Sequence, residues 1–146
     1  MSSLKASWKL GVGPVDSGIF YADDTYRPTS PLSSGVGIKV GEKRPVPCSM
    51  QQAEYGDYEA GRFGCDAGVV RWGGGPWEGE GWIALEEPSG DLVWLMHFED
   101  SEAFTQARFE AGCIEAVAYE YPCMKTYLIP ATRPDEVSVE QVADAP

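Results

Sequence analysis

Histidine, basic residues and long apolar runs are what this sequence has least of, and each shortage removes a class of function. His97 is the only histidine, and no two of the four cysteines (Cys48, Cys65, Cys113 and Cys123) stand in a Cys-x-x-Cys spacing, so the ligand pattern of a structural zinc site is missing. The longest uncharged apolar run, around Leu92 to Met96, falls far short of the about 20 residues a membrane-spanning helix needs. The opening from Met1 to Lys9 has no apolar stretch of the kind a secretory signal carries. A cytoplasmic location is therefore expected, with the cysteines as buried structural thiols rather than a disulfide framework. Lysine and arginine number 11 against 23 acidic residues, and the net charge of −12 repels nucleic acid and anionic membranes.

Signatures of catalysis and cofactor binding are also missing. Asp16-Ser17-Gly18 lacks the Gly-x-Ser-x-Gly context of a nucleophile elbow, and reads as a turn. Gly73-Gly74-Gly75 could cradle an anion, but no Gly-Lys-Ser/Thr follows, and Glu78 and Glu80 would repel phosphate. Asp23-Asp24 and the Glu78/Glu80 pair do not have the ligand spacing of an EF-hand loop. No cofactor and no metal are expected.

What the chain does have is a concentrated run of negative charge. From Trp72 through Ala107 there is no lysine or arginine, while Glu78, Glu80, Glu86, Glu87, Asp91, Glu99, Asp100 and Glu102 supply eight acids. Aromatic residues lie among them, with Trp72, Trp77 and Trp82 at intervals of five. Trp77, between Pro76 and Glu78 in a Gly-rich stretch, is the one expected to be exposed.

The pattern of apolar residues predicts an α+β domain that is mainly β, an antiparallel sheet with one short helix packed on it. Residues 1–130 form a single acidic domain in this reading, and 131–146 a loose acidic tail with at most a frayed helix from Glu136 to Val142. Trp8 to Gly13 and Ile19 to Tyr21 read as short strands, Val36 to Val40 as a half-buried one, Gln51 to Gly64 as loop and irregular strand, and Val69 to Trp72 as a short strand. The clearest element is a hairpin, Gly81 to Glu86 and Asp91 to Phe98 about the turn Glu87-Pro88-Ser89-Gly90. A four-residue loop pairs Leu85 with Leu92, Ile83 with Trp94, Ala84 with Val93 and Trp82 with Leu95, and sets His97 opposite Glu80. Trp94, Ile83, Leu85 and Leu92 then make one layer of core. Because Leu92 to Phe98 is apolar on both faces, that strand should be central and covered on both sides. Asp100 or Ser101 could cap a helix over 101–111, stopped by Gly112, and Cys113 to Tyr119 and Cys123 to Ile129 alternate as a closing strand pair.

Three kinds of site fit these residues. His97 oriented by Glu80 could serve a small hydrolase as general base, although a lone histidine on an apolar strand is more often a hydrogen-bonded core residue. Trp72, Trp77 and Trp82 beside carboxylates could form a carbohydrate-binding surface, although burial explains Trp82 and Trp72 more cheaply. The acids Glu78, Glu80, Glu86, Glu87, Glu99, Asp100 and Glu102 with Trp77 could form a protein-binding surface for a basic partner.

The segment Leu92-Val93-Trp94-Leu95-Met96-His97-Phe98-Glu99-Asp100-Ser101-Glu102-Ala103-Phe104 resembles segments in small cytosolic bacterial immunity proteins that neutralise polymorphic toxins, where an aromatic-rich strand runs into a Ser-containing helix start ending in Phe. Val15-Asp16-Ser17-Gly18 is similar to strand starts in other small bacterial proteins. The resemblance covers about a fifth of the chain. It implies an inhibitor that occludes a basic toxin through an acidic, aromatic surface, which agrees with the charge pattern read independently.

Overall fold

The computed structural model describes residues 3–32, 37–75, 79–120 and 123–143, and is mainly antiparallel β as the sequence pattern predicts. In chain order the described residues form α1 (Leu4–Lys9), β1 (Val12–Pro14), β2 (Gly18–Tyr21), β3 (Thr25–Pro31), β4 (Ile38–Val40), β5 (Arg44–Pro45) and β6 (Gln52–Glu54). There follow β7 (Glu59–Cys65), β8 (Gly68–Gly74), β9 (Gly81–Glu86), β10 (Leu92–Phe98), β11 (Phe104–Glu110), β12 (Cys113–Glu120), β13 (Cys123–Pro130) and β14 (Ser138–Ala143). The larger sheet runs β4-β3-β2-β10-β9-β8-β7, with β5 also paired to β3. The smaller runs β11-β12-β13-β14, and β1 pairs with β6. Among the described residues no helix is long and apolar enough to cross a membrane.

Strand β10 lies in the middle of the larger sheet, between β2 and β9, and both its faces are covered, as its unbroken apolar sequence requires. Trp94, Met96 and Phe98 point toward the smaller sheet, where they meet Phe104, Ile114, Tyr127 and Ile129. Leu92 and Leu95 point the other way, into a second cluster with Phe20, Tyr55, Trp82, Leu4 and Trp8. That second face is covered by α1. Ser3 caps the helix by accepting from the Ala6 N–H at 3.1 Å, Leu4 and Trp8 fall four residues apart on one side, and Gly11 at φ +79° ends it. The strand expected from Trp8 to Gly13 thus begins as the end of a helix, Trp8 and Lys9, and a turn: only Val12 onward is extended.

The hairpin is present, but its register is not the expected one. Trp94 pairs with Leu85, Leu95 with Ala84, Met96 with Ile83 and His97 with Trp82, while Leu92 pairs with Glu86. A bulge between Leu92 and Trp94 adds one residue to β10, and since side chains alternate, it sends Leu92 to the face opposite Trp94. Trp94, Ile83 and Leu85 do share a layer; Leu92 belongs to the other.

Two further expectations are overturned. The helix predicted over 101–111 is the strand β11, because Gln106-Ala107-Arg108-Phe109-Glu110 alternates outward and inward, and Ala111 and Gly112, at φ +53° and +79°, make a two-residue hairpin turn into β12. The loose tail after 130 is tied down: Pro134 and Val137 are buried, and β14 pairs along β13 from Leu128–Ser138 to Cys123–Ala143. Val139, half-buried between exposed Ser138 and Glu140, packs against the core from this edge strand. Gln51 to Gly64 contains β6, a short 3-10 turn at Gly56–Tyr58 and β7.

The triple glycine has a packing role. A Cβ on Gly73 would collide with the Tyr58 backbone, one on Gly74 with Ala103, and one on Gly75 with the Glu80 carboxylate.

Candidate functional site

The acidic segment is divided by the fold into buried and exposed members. Glu86 ends β9 with only 5% of its surface exposed, and its carboxylate accepts from Trp8 Nε1 and from Arg71 Nη1, each at 2.5 Å. Arg71 also reaches Glu59 at 2.5 Å, and its guanidinium lies over the Trp8 ring, 5.2 Å from the centroid. Arg62 holds Glu59 from its exposed side at 2.7 Å. Burial alone would raise the Glu59 carboxyl, but hydrogen bonds from Arg62 and Arg71 outweigh it and hold the pKa below the ordinary value. This network binds α1 to the larger sheet, so Glu86 serves the core and cannot meet a partner. Its signal in the sequence is Arg71, a lone cation among Val69, Val70 and Trp72, which has to find a carboxylate once buried.

Glu80 is also buried, at 6%, beside His97 at 1%. His97 Nδ1 lies 3.2 Å from the Asp16 carbonyl oxygen, and Nε2 lies 3.2 Å from Glu80 Oε1, off the line of a well-directed hydrogen bond. His97 and Glu80 are therefore in contact, although His97 stands opposite Trp82 in the register and not opposite Glu80 as expected. Burial disfavours the imidazolium, the charge of Glu80 opposes that, and the net effect lowers the His97 pKa from 6.5. Tyr55 packs on the imidazole, its hydroxyl donating to the Pro14 carbonyl; burial first and Glu80 second push its pKa well above 10. A general base must reach a substrate, and both His97 and Glu80 are buried. The arrangement is that of a polar cluster built into the core.

The remaining acids lie at opposite ends of the β9–β10 hairpin. Glu87 is exposed in the 87–91 turn, near Asp91, which pairs with Lys9 at 2.9 Å. Glu99 and Asp100, both exposed, and the half-buried Glu102 follow the far end of β10, about 20 Å away along a strand of seven residues. There Ser17, which the sequence reading treated only as a turn former, organises the loop. Its hydroxyl accepts from the Glu99 N–H at 2.9 Å and approaches the Glu99 carboxylate at 3.4 Å, and the residue before it, Asp16, is exposed. Glu102 adopts φ +64°, held by a bond from its N–H to the Gly79 carbonyl at 2.8 Å. Trp77 and Glu78 lie outside the described residues.

Trp72 and Trp82 do not form a sugar platform. They are 9% and 0% exposed, and the Trp82 indole donates to the Gly74 carbonyl at 2.9 Å. The cysteines are free thiols, but not the buried ones expected: Cys48 is exposed and Cys65, Cys113 and Cys123 are half-buried. Burial nonetheless raises the Cys113 thiol pKa. No group of three or more His, Cys, Asp or Glu among the described residues is arranged to hold a metal ion.

One cleft opens at the seam of the two sheets. Phe98 and Tyr127, with ring centroids 5.2 Å apart, contribute to its lining together with Ile38 and Val139, and Ser17, Thr29, Ser30, Asp100 and Lys125 add polar groups. Nothing in the composition or motifs pointed to it, because its walls come from six separate stretches of chain.

Comparison with protein-family models, with curated proteins and with solved structures finds no match.

Proposed function

We propose that this protein is a binding inhibitor of the immunity type, which occludes a basic protein partner with the carboxylates of the β10–β11 turn. The observation that carries this reading is the hold of the Ser17 hydroxyl on exposed Glu99, with exposed Asp100 and Asp16 the chain neighbours of that bonded pair. Side chains held in place before contact lose less entropy on binding, and a negative surface raises the encounter rate with a cationic one. Glu80 and Glu86 drop out of the expected surface because they are buried, and Glu87 because it stands at the far end of the hairpin. The partner is chosen by charge complementarity, with the net charge of −12 excluding nucleic acid and anionic lipid.

The test is to capture partners from the source cell, express the captured basic protein, and measure association by stopped flow. The association rate should fall about tenfold or more from low to physiological ionic strength. Glu99→Gln combined with Asp100→Asn should slow association at low salt and flatten that dependence, while Glu87→Gln should change neither. Salt-independent association, or an unaffected double variant, would refute the reading.

A further inference from the structure

The seam cleft contains a feature that packing alone does not explain. Thr29, on β3, is 8% exposed, and its hydroxyl has no hydrogen-bond partner although the residue lines the cleft. A buried hydroxyl without a partner costs about 1–3 kcal/mol, which a valine of nearly the same shape would avoid. The other polar groups of the cleft bear both signs of charge: Lys125 from β13 and Asp100 from the turn after β10. Ser30 adds a second hydroxyl, and the Phe98 and Tyr127 rings add apolar surface. The space, measured to the centre of a water molecule, is 40 Å³, about three waters' worth.

We infer that the cleft binds a free α-amino acid with a small side chain. A lone carboxylate entering it would meet Asp100, and a lone ammonium would meet Lys125. A molecule carrying both charges on one carbon complements the two walls at once, its carboxylate toward Lys125 and its ammonium toward Asp100. The Thr29 hydroxyl, which can donate or accept, gains the partner it lacks, and a methyl-sized side chain meets the rings. This inference shares Asp100 with the protein-binding reading but does not rest on it: Thr29 and Lys125, which carry its test, have no part in that surface.

The experiment is a titration of the full chain with glycine, alanine and serine, followed by two-dimensional amide NMR, with glycinamide and N-acetylglycine as analogues lacking one charge each. At least one amino acid should shift the amides of Thr29, Phe98 and Tyr127 saturably, and each analogue should bind at least about tenfold more weakly. Thr29→Val should raise the melting temperature while weakening binding at least about tenfold, since the hydroxyl is retained at the expense of stability. Lys125→Gln, which leaves Thr29 in place, should weaken binding in a folded protein and so supports or refutes the site even if the valine variant misfolds. The inference is overturned if no amino acid shifts these amides, meaning that the cleft holds only water, if either analogue binds as well, or if both variants bind like the wild type.

Discussion

Two tryptophans in the same core, Trp94 and Trp72, differ in one atom's surroundings, and that difference can be measured. Trp94 is 2% exposed, and its indole N–H donates to the Ala131 carbonyl at 2.8 Å, which fastens the chain beyond β13 to the central strand. Trp72 is 9% exposed, and its indole N–H has no partner. Replacing either by phenylalanine removes similar apolar surface. At Trp94 the change also leaves the Ala131 carbonyl buried without its donor, at a cost of about 1–3 kcal/mol, whereas at Trp72 it removes an orphaned donor and nothing is left unpaired. Trp94→Phe should therefore cost about 1–2 kcal/mol more than Trp72→Phe, within a total stability on the order of 5–15 kcal/mol. Trp94→Ala should cost about 3–5 kcal/mol by lost burial and the cavity left behind. Urea unfolding followed by far-UV circular dichroism gives these values, provided the slope m is unchanged. If Trp72→Phe proves as costly as Trp94→Phe, the bond to Ala131 contributes nothing and the account of how the C-terminal segment is held fails.

His97 gives a pH signature. With its folded pKa lowered from 6.5, the native state binds fewer protons than the unfolded chain below that value, so stability present above pH 6.5 is lost as pH falls toward the folded pKa. The slope from one proton is at most about 1.4 kcal/mol per pH unit, and urea midpoints across this range should lose that component in His97→Gln. A wild type that instead gains stability relative to His97→Gln on acidification would mean that Glu80 holds an imidazolium and outweighs burial. Ala111→Gly should stabilise by about 0.5–1 kcal/mol, since a left-handed alanine costs roughly 1–2 kcal/mol and the extra chain entropy of glycine roughly 0.5–1. The φ of +53° at Ala111 is the basis, and a lower urea midpoint in the glycine variant would contradict it.

The parts of the fold that were legible in the sequence are those where side-chain alternation or an unbroken apolar run repeats over many residues. β12 and β13 announce themselves this way, and so does β10 as a doubly covered strand. The bulge at Val93 has no side-chain signature, so the direction of each residue beyond it could be deduced but not its partner. Ser101 and Gly112 imitate the ends of a helix; the strand is betrayed only by alternation from Gln106 to Glu110, which the bulge between Phe104 and Gln106 interrupts. At the site, a run of acids in sequence carries no information about depth. Glu86 and Glu87 are neighbours, yet one is sealed against Arg71 and the other is in solvent. The seam cleft was illegible because the walls of a cavity between sheets are assembled by tertiary structure alone.

The central position of β10 also governs when this chain can fold as it is made. Its neighbour β2 is synthesised near the beginning and can pair with β3 on one edge, but its other edge finds its partner only when Leu92–Phe98 has emerged, and α1 finds Glu86 equally late. Until then the second edge of β2 is unpaired, and Leu4, Trp8 and Phe20 lack the cover that Trp82, Leu92 and Leu95 give them. Such non-local pairing folds slowly and leaves apolar edges open to other chains, so the high negative charge, which spaces nascent and newly released chains apart, protects the protein most during the interval before its middle strand arrives.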